Sequence, residues 1–409
     1  MLVMRKLLTF MLLSLVSLGL SAQTDSLRLG YVVRGQVRDA RTGKALESVH
    51  VSVPGKNFAT VTNADGEFVL KSDAPFQSVE CSFLGYRNRT VAVSDYMRIS
   101  LQQESIPLKE SSIVSGDPVA IVRAAIENAE DNYCPTPELL QCFYRETLQK
   151  RNRYTYVAEA VTKVYKDSYR SGTYRDASAL VKSRVLVSQR SSDTLSVKTQ
   201  GGPNMAVDCD FLKIPDFFLS EEEMVHYLFT LEAPAYIDDR LQFVVKMSPH
   251  PLAIVNYALY YVTLYIDRET LAFTRIEAAL DVSDRSKATR ALLVSKPLTL
   301  RFFPEEASIV INFSQDEGRI RMQYFRATIR FACDWKKRLL KTHYTTICEM
   351  VVTDIYTEAV QIGRKERFRH TDILDDMAPR FADPDFWADY NIIAPSESLE
   401  HALSRLRRR

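Results

Sequence analysis

The sequence predicts an α+β protein that is mostly β. A seven-stranded β-sandwich comes first, followed by a larger curved antiparallel sheet with a few helices. Three observations carry this. Short apolar runs separated by turn residues recur between Val32 and Leu101. After Leu139 apolar residues return at every second position, the period of a strand. Between the two regions, residues 117–133 show helical spacing.

The chain has 409 residues, too many for one ordinary core, so two or three domains are expected. Its formal net charge of +2 gives no long-range field for nucleic acid or an anionic surface. Residues 1–22 read as a signal peptide: Arg5 and Lys6, then apolar Leu7 to Leu20, then small Ser21-Ala22 before a cut at Ala22/Gln23. The apolar run is short for a membrane span of about 20 residues. No cysteine follows it, which argues against a lipoprotein anchor. The expected location is therefore exported: periplasmic, with outer-membrane association as the further option. Cys81, Cys134, Cys142, Cys209, Cys333 and Cys348 would then meet oxidising conditions. Cys134 with Cys142 is the one local pairing; free buried thiols are the equal alternative.

Residues 32–104 form the sandwich. Its apolar runs are Val32 to Val37, Val49 to Val53, Phe58 to Thr62, Phe68 to Leu70, Val79 to Leu84, Thr90 to Val93 and Met97 to Leu101. Asp39 to Gly43, Pro54-Gly55, Asn63 to Gly66 and Gly85 supply the turns. Val37, Val51, Phe68 and Phe83 are placed between the sheets. Asn63-Ala64-Asp65-Gly66-Glu67 is read as a tight turn, since the other carboxylates of a calcium loop are absent.

Gly35-Gln36-Val37-x-Asp39, Thr42-Gly43-Lys44-Ala45-Leu46, Thr60-x-Thr62-Asn63-x-Asp65-Gly66-Glu67-Phe68 and Phe83-x-Gly85-Tyr86 follow one another in order. As a set they resemble the carboxypeptidase regulatory-like domain, a transthyretin-like sandwich. That family accompanies zinc carboxypeptidases and also begins TonB-dependent receptors and other envelope proteins. The resemblance implies a fold, not an activity.

Residues 105–116 are a linker. Residues 117–357 are assigned to the curved sheet, with a helix over 117–133 capped by Asp117 and Pro118. Val119, Val122, Ile126, Ala129 and Tyr133 give that helix an apolar side. Arg145, Glu146 and Glu159 are read as an ion-pair network on a sheet face rather than a catalytic cluster. Phe143-Tyr144-Arg145-Glu146, Tyr165-Lys166, Gly201-Gly202-Pro203 and Asp385-Phe386-Trp387-x-Asp389-Tyr390-Asn391 resemble a group of uncharacterised exported proteins of Gram-negative bacteria. No activity comes with that likeness. Residues 170–204 read as exposed strands and turns, Ser220 to Glu223 as a capping box, and Asp284 to Arg290 as a charged mobile segment.

The strongest strand signal is the hairpin Tyr257 to Leu280, turning at Asp267-Arg268-Glu269-Thr270. Tyr260, Val262, Leu264 and Ile266 share one face, and Tyr257, Leu259, Tyr261 and Tyr265 the other. The hairpin is placed centrally in the large sheet. Strands follow at Leu298 to Phe303, Ile309 to Phe313, Gly318 to Phe331, Arg338 to Thr346 and Ile347 to Thr353. Apolar positions switch from even (Ile320, Met322) to odd (Phe325, Ala327, Ile329), which predicts a bulge. Residues 358–409 are a C-terminal extension. Arg364 to Arg369 is read as a solvated surface, and Leu399, Ala402, Leu403 and Leu406 mark a terminal helix.

His50, His226, His250, His343, His370 and His401 form no His-Glu-x-x-His, and there is no Gly-x-Ser-x-Gly, phosphate loop or Cys-x-x-Cys. The expectation is a non-enzymatic cell-envelope protein, with no metal, cofactor or nucleic acid. It would bind an apolar small molecule or lipid, or an envelope protein partner, on the face of Tyr260, Val262, Leu264 and Ile266. Leu264-Tyr265-Ile266-Asp267-x-Glu269-Thr270-Leu271 is similar to the half-barrels that carry lipoproteins or lipids across a periplasm. Two alternatives stand beside this: an assembly factor docking at outer-membrane receptors through its sandwich, and an unrecognised hydrolase. An apolar cavity above about 300 Å3 beside Tyr260 to Ile266 favours the carrier. A filled core with an exposed apolar patch favours docking. A cleft with converging carboxylates or histidines favours the enzyme.

Overall fold

The computed structural model describes residues 30–104, 116–188, 190, 199–295, 297–316, 319–335, 340–382 and 390–407. The signal segment, nearly all of the linker, the Gly318 turn and Trp387 lie outside the described residues.

Seven strands form the N-terminal unit: β1 (Tyr31–Asp39), β2 (His50–Ser52), β3 (Ala59–Val61), β4 (Glu67–Ser72), β5 (Ser78–Ser82), β6 (Arg89–Ala92) and β7 (Met97–Leu101). They make two sheets, β4-β1-β7 and β3-β2-β5-β6. Val37, Val51, Phe68, Leu70 and Met97 fill the space between them, and Phe83 packs at its margin. Gly66 has φ 74°, and a Cβ there would lie 2.4 Å from the Val37 carbonyl oxygen, so glycine is required. Asn63 Oδ1 accepts from the Asp65 and Glu67 amides at 2.9 and 2.8 Å, closing the tight turn. Among the described residues, no group of three or more His, Cys, Asp or Glu could hold a metal.

The second unit is one eleven-stranded antiparallel sheet. Its strands are β8 (Glu138–Lys150), β9 (Arg153–Lys166), β10 (Ala177–Val187), β11 (Tyr227–Leu231), β12 (Ala235–Ile237), β13 (Arg240–Pro249), β14 (Tyr260–Asp267), β15 (Phe273–Leu280), β16 (Leu300–Asp316), β17 (Arg319–Trp335) and β18 (Thr342–Ile355). The order is β10-β9-β8-β18-β17-β16-β15-β14-β13-β11, with β12 also pairing β13. The hairpin β14–β15 is interior but lies toward the β11 edge; β18, β17 and β16 hold the centre. Asp267 Oδ1 shapes its turn, accepting from the Glu269 and Thr270 amides. The bulge stands where the phase changes. Asn312 pairs Tyr324 and Phe313 pairs Met322, leaving Gln323 as the extra residue. Tyr324 thereby moves to the outer face while Met322 and Phe325 both serve the inner core.

Inner-face packing corrects several readings. The early helix runs Pro118–Glu127, with Asp117 accepting from the Val119 amide at 3.0 Å. It breaks at Asn128, whose side chain folds back onto the Ala124 carbonyl at 2.7 Å. A separate turn, Ala129–Asn132, follows. Residues 170–204, read as exposed strands and turns, include β10, whose Ala177, Ser178, Ala179 and Leu180 are buried because it is paired into the sheet. Beyond it, Ala206, Val207, Phe211, Phe218, Leu219 and Met224 plug the inner face. The Ser220 capping box does not form. Glu223 instead accepts from the Tyr257 hydroxyl at 2.7 and 2.9 Å. The segment read as mobile is a helix, Arg285–Leu292, because Asp284 caps it by accepting from the Ser286 and Lys287 amides. All six cysteines are free, Cys134 and Cys142 included.

Arg145 and Glu146 face opposite ways, as neighbours on a strand must. Glu146 is 1% exposed and accepts from Tyr144 at 3.0 Å and from Tyr156. Burial pushes its carboxyl from 4.5 up to about 7, against the lowering effect of both tyrosines. Between those two values the folded chain holds a proton that the unfolded chain has lost. Stability therefore falls as pH rises through this window. The full loss from this group is about 3 kcal/mol. Urea unfolding at pH 5 and pH 8 should show Glu146→Gln shrinking the difference by about that amount. An unchanged difference would count against a proton held there.

Candidate functional site

The predicted ligand face is occupied by the protein itself. Val262, Leu264 and Ile266 are buried in the main core, and half-buried Tyr260 packs against Phe217 and Phe218. A void of about 20 Å3 elsewhere in the same core, between Leu140, Val164 and Met322, is lined by no residue of the hairpin and has room for one water at most. The plug of residues 204–224 is the physical reason. The hairpin's alternation carried no sign of it.

The outer face seats the sandwich. Val61 of β3 packs with Phe143, Val161, Tyr324 and Val351. Two devices lock this seam. One is the β12–β13 turn, in which Asp238 and Asp239 both have positive φ, 53° and 56°, the backbone of a two-residue hairpin turn. Ser82 donates its hydroxyl to Asp238, the Asn88 amide donates to Asp239 at 2.9 Å, and the Gly85 amide donates to the Tyr236 carbonyl at 2.8 Å.

The other device is the strap Asn391 to Ser396, buried between the units. Thr60 donates to the Ile392 carbonyl at 2.9 Å and Asn63 to the Pro395 carbonyl at 3.1 Å. Asn391 accepts from the Lys71 amide and donates to its carbonyl. From the large sheet, Arg145 donates to the Ile393 carbonyl at 2.7 Å. Arg145 also pairs with Glu159 at 2.8 Å and Glu349 at 3.2 Å, and Arg184 pairs with Glu159 too. Arg145 and Glu159 thus form an ion-pair network that holds the strap, whereas Glu146, expected in the same network, sits on the other face with Tyr144 and Tyr156.

A polar cleft of about 460 Å3 opens along the same seam. Its walls include His50, Glu80 and Ser82 from the sandwich, and Arg240, Gln242, Asp267 and Arg321 from the large sheet. The two arginines are already matched, while Lys56 on the same wall is exposed. Arg240 pairs with Asp267 at 2.8 Å and donates to Gln315 at 2.7 Å; Arg321 pairs with Glu138 at 3.0 Å. Buried Gln242 accepts from Thr274 at 2.8 Å. Burial first, then the Asp238 carboxylate, raises the pKa of Glu80. The cleft is therefore polar and rich in hydrogen-bonding groups, with Lys56, Arg240 and Arg321 set against Glu80, Asp238 and Asp267. None of these residues was singled out as a site residue from the sequence. The Asp238-Asp239 pair between two strand signals was the one available hint.

Residues 33–114 match the CarboxypepD_reg-like domain family. No curated protein matches the chain. Among solved structures, a DUF1329 family protein from Desulfovibrio piger is similar at 12% identity, covering 57% of this chain and 92% of its own, with a TM-score of 0.23. A putative membrane-associated protein of unknown function from Bacteroides fragilis is similar at 9% identity, covering 80% and 99%, with a TM-score of 0.15. At these TM-scores neither carries a functional argument.

Proposed function

We propose that this is a non-enzymatic, exported binding protein of the cell envelope. Its two units work as one body, and the cleft between them takes a polar, hydrogen-bonding segment of a partner protein. The observation that carries this reading is the cleft itself: it is walled by both units, polar, and of ligand size. A filled inner face favours a partner over an apolar ligand. The export signal of residues 1–22 supports the envelope location. Peptide mapping of protein from the envelope should find the mature chain beginning at Gln23.

Mass spectrometry of material co-purifying from an envelope fraction tests the binding. A partner polypeptide should accompany the wild type and be lost about tenfold or more from Glu80→Gln, since a charged hydrogen bond is worth about 1.5–3 kcal/mol. Equal recovery with both proteins, or lipid alone, would count against this reading.

One observation favours the assembly-factor alternative. Among the described residues β6 is an edge of its sheet, with Arg89 and Thr90 exposed. Such an edge can accept a strand from another chain.

A further inference from the structure

The cleft lies at one end of the large sheet. The opposite end has a different character. There β13 finishes at Pro249 and β14 starts at Tyr260; β15 finishes at Leu280 and β16 starts at Leu300; β17 finishes at Trp335 and β18 starts at Thr342. Antiparallel order brings all these joins to one rim. Hydrogen bonds hold them side by side. Arg290 donates to the Asn256 carbonyl at 2.8 Å, Arg285 to the Phe302 carbonyl at 3.0 Å, and the Arg151 amide to the His343 carbonyl at 3.1 Å.

Five aliphatic side chains are exposed on this rim: Leu252, Ile254, Val294, Leu298 and Leu340. Ile254 is 97% exposed and Leu298 95%, so neither serves the core. One exposed leucine needs no explanation, but five around one rim do. The charge there leans positive. In the β15–β16 join, residues 281–299, the sequence has Arg285, Lys287, Arg290 and Lys296 against Asp281 and Asp284. The β8–β9 turn adds Lys150, Arg151 and Arg153, and Arg405 of the terminal helix reaches the adjacent Tyr154 carbonyl at 3.4 Å. The nearby carboxylates of Glu305 and Glu306 pair with His343 at 2.9 Å and Arg330 at 3.2 Å. A whole-chain charge of +2 hides this local excess.

We propose that this rim docks on an anionic phospholipid surface. The aliphatic tips enter the boundary between headgroups and acyl chains, and the arginines and lysines meet the phosphates. Exposed Tyr257 and Tyr261, before and within the start of β14, lie where an interfacial aromatic belt would fall. The proposal stands apart from the cleft reading, because it uses the other end of the sheet.

Co-sedimentation with vesicles tests it. The purified protein should pellet with phosphatidylcholine vesicles containing phosphatidylglycerol. Binding to phosphatidylcholine alone should be about tenfold weaker or more, and salt should weaken the anionic binding. Ile254→Asp and Leu298→Asp should each weaken binding about tenfold, the scale of one aliphatic side chain leaving water. Lys287→Glu should weaken binding to the anionic vesicles alone. Ile254 and Leu298 are exposed, so the thermal melting of these two variants should not change, and a preserved melt separates lost docking from misfolding. Variants that bind like the wild type, or a wild type that stays in the supernatant, would overturn the proposal. So would a concentration-dependent dimer in velocity sedimentation that Ile254→Asp dissolves, because the rim would then belong to a second copy.

Discussion

Arg145→Ala is expected to destabilise the protein by about 3–5 kcal/mol, the cost of breaking a buried ion pair from one side. Arg145 is 4% exposed and Glu159 is fully buried. Removing the guanidinium leaves Glu159 with Arg184 alone, strips Glu349 of a cation, and takes the donor from the Ile393 carbonyl. Arg145→Lys should recover part of the loss, because it keeps the charge but not the fork that reaches three acceptors. Urea unfolding of the three proteins measures this. A loss for Arg145→Ala below about 1 kcal/mol, the range of surface pairs, would mean that the network does not hold the seam.

Leu264→Ala should cost about 2–5 kcal/mol, as deletions in packed cores do. Leu264 is fully buried in the cluster that contains Phe211, Phe218 and Ile276. The result separates two roles for this face. A wall of an open ligand site would lose affinity and keep its stability. A filled core loses stability outright. Denaturant midpoints of wild type and variant decide between them, and an unchanged midpoint would restore the ligand face.

Local patterns were legible wherever backbone period and turn chemistry agree. The hairpin β14–β15 follows from alternation on either side of Asp267, whose carboxylate organises the turn. The Gln323 bulge follows from the shift between Met322 and Phe325. Errors arose where a local signal had a distant competitor. Glu223 has the spacing of a capping box, but Tyr257 claims its carboxylate. Asp284 to Arg290 looked mobile from its charge, although Asp284 is a good cap and Ala288 gives the helix a buried side. The cleft was the least legible feature. Glu80, Arg240, Asp267 and Arg321 are ordinary polar residues near strand ends. Only the docking of two separately patterned units brings them together, and no short-range period encodes that.

The strap has a bearing on the order of assembly. Thr60 and Ile392 are 332 positions apart, so the clasp arrives long after the sandwich has been synthesised. A chain threaded through a translocation channel from its N-terminus would finish both units before it could fasten them. The β12–β13 contacts need no residue of the strap, so the two sides of the cleft can meet before the strap fastens them.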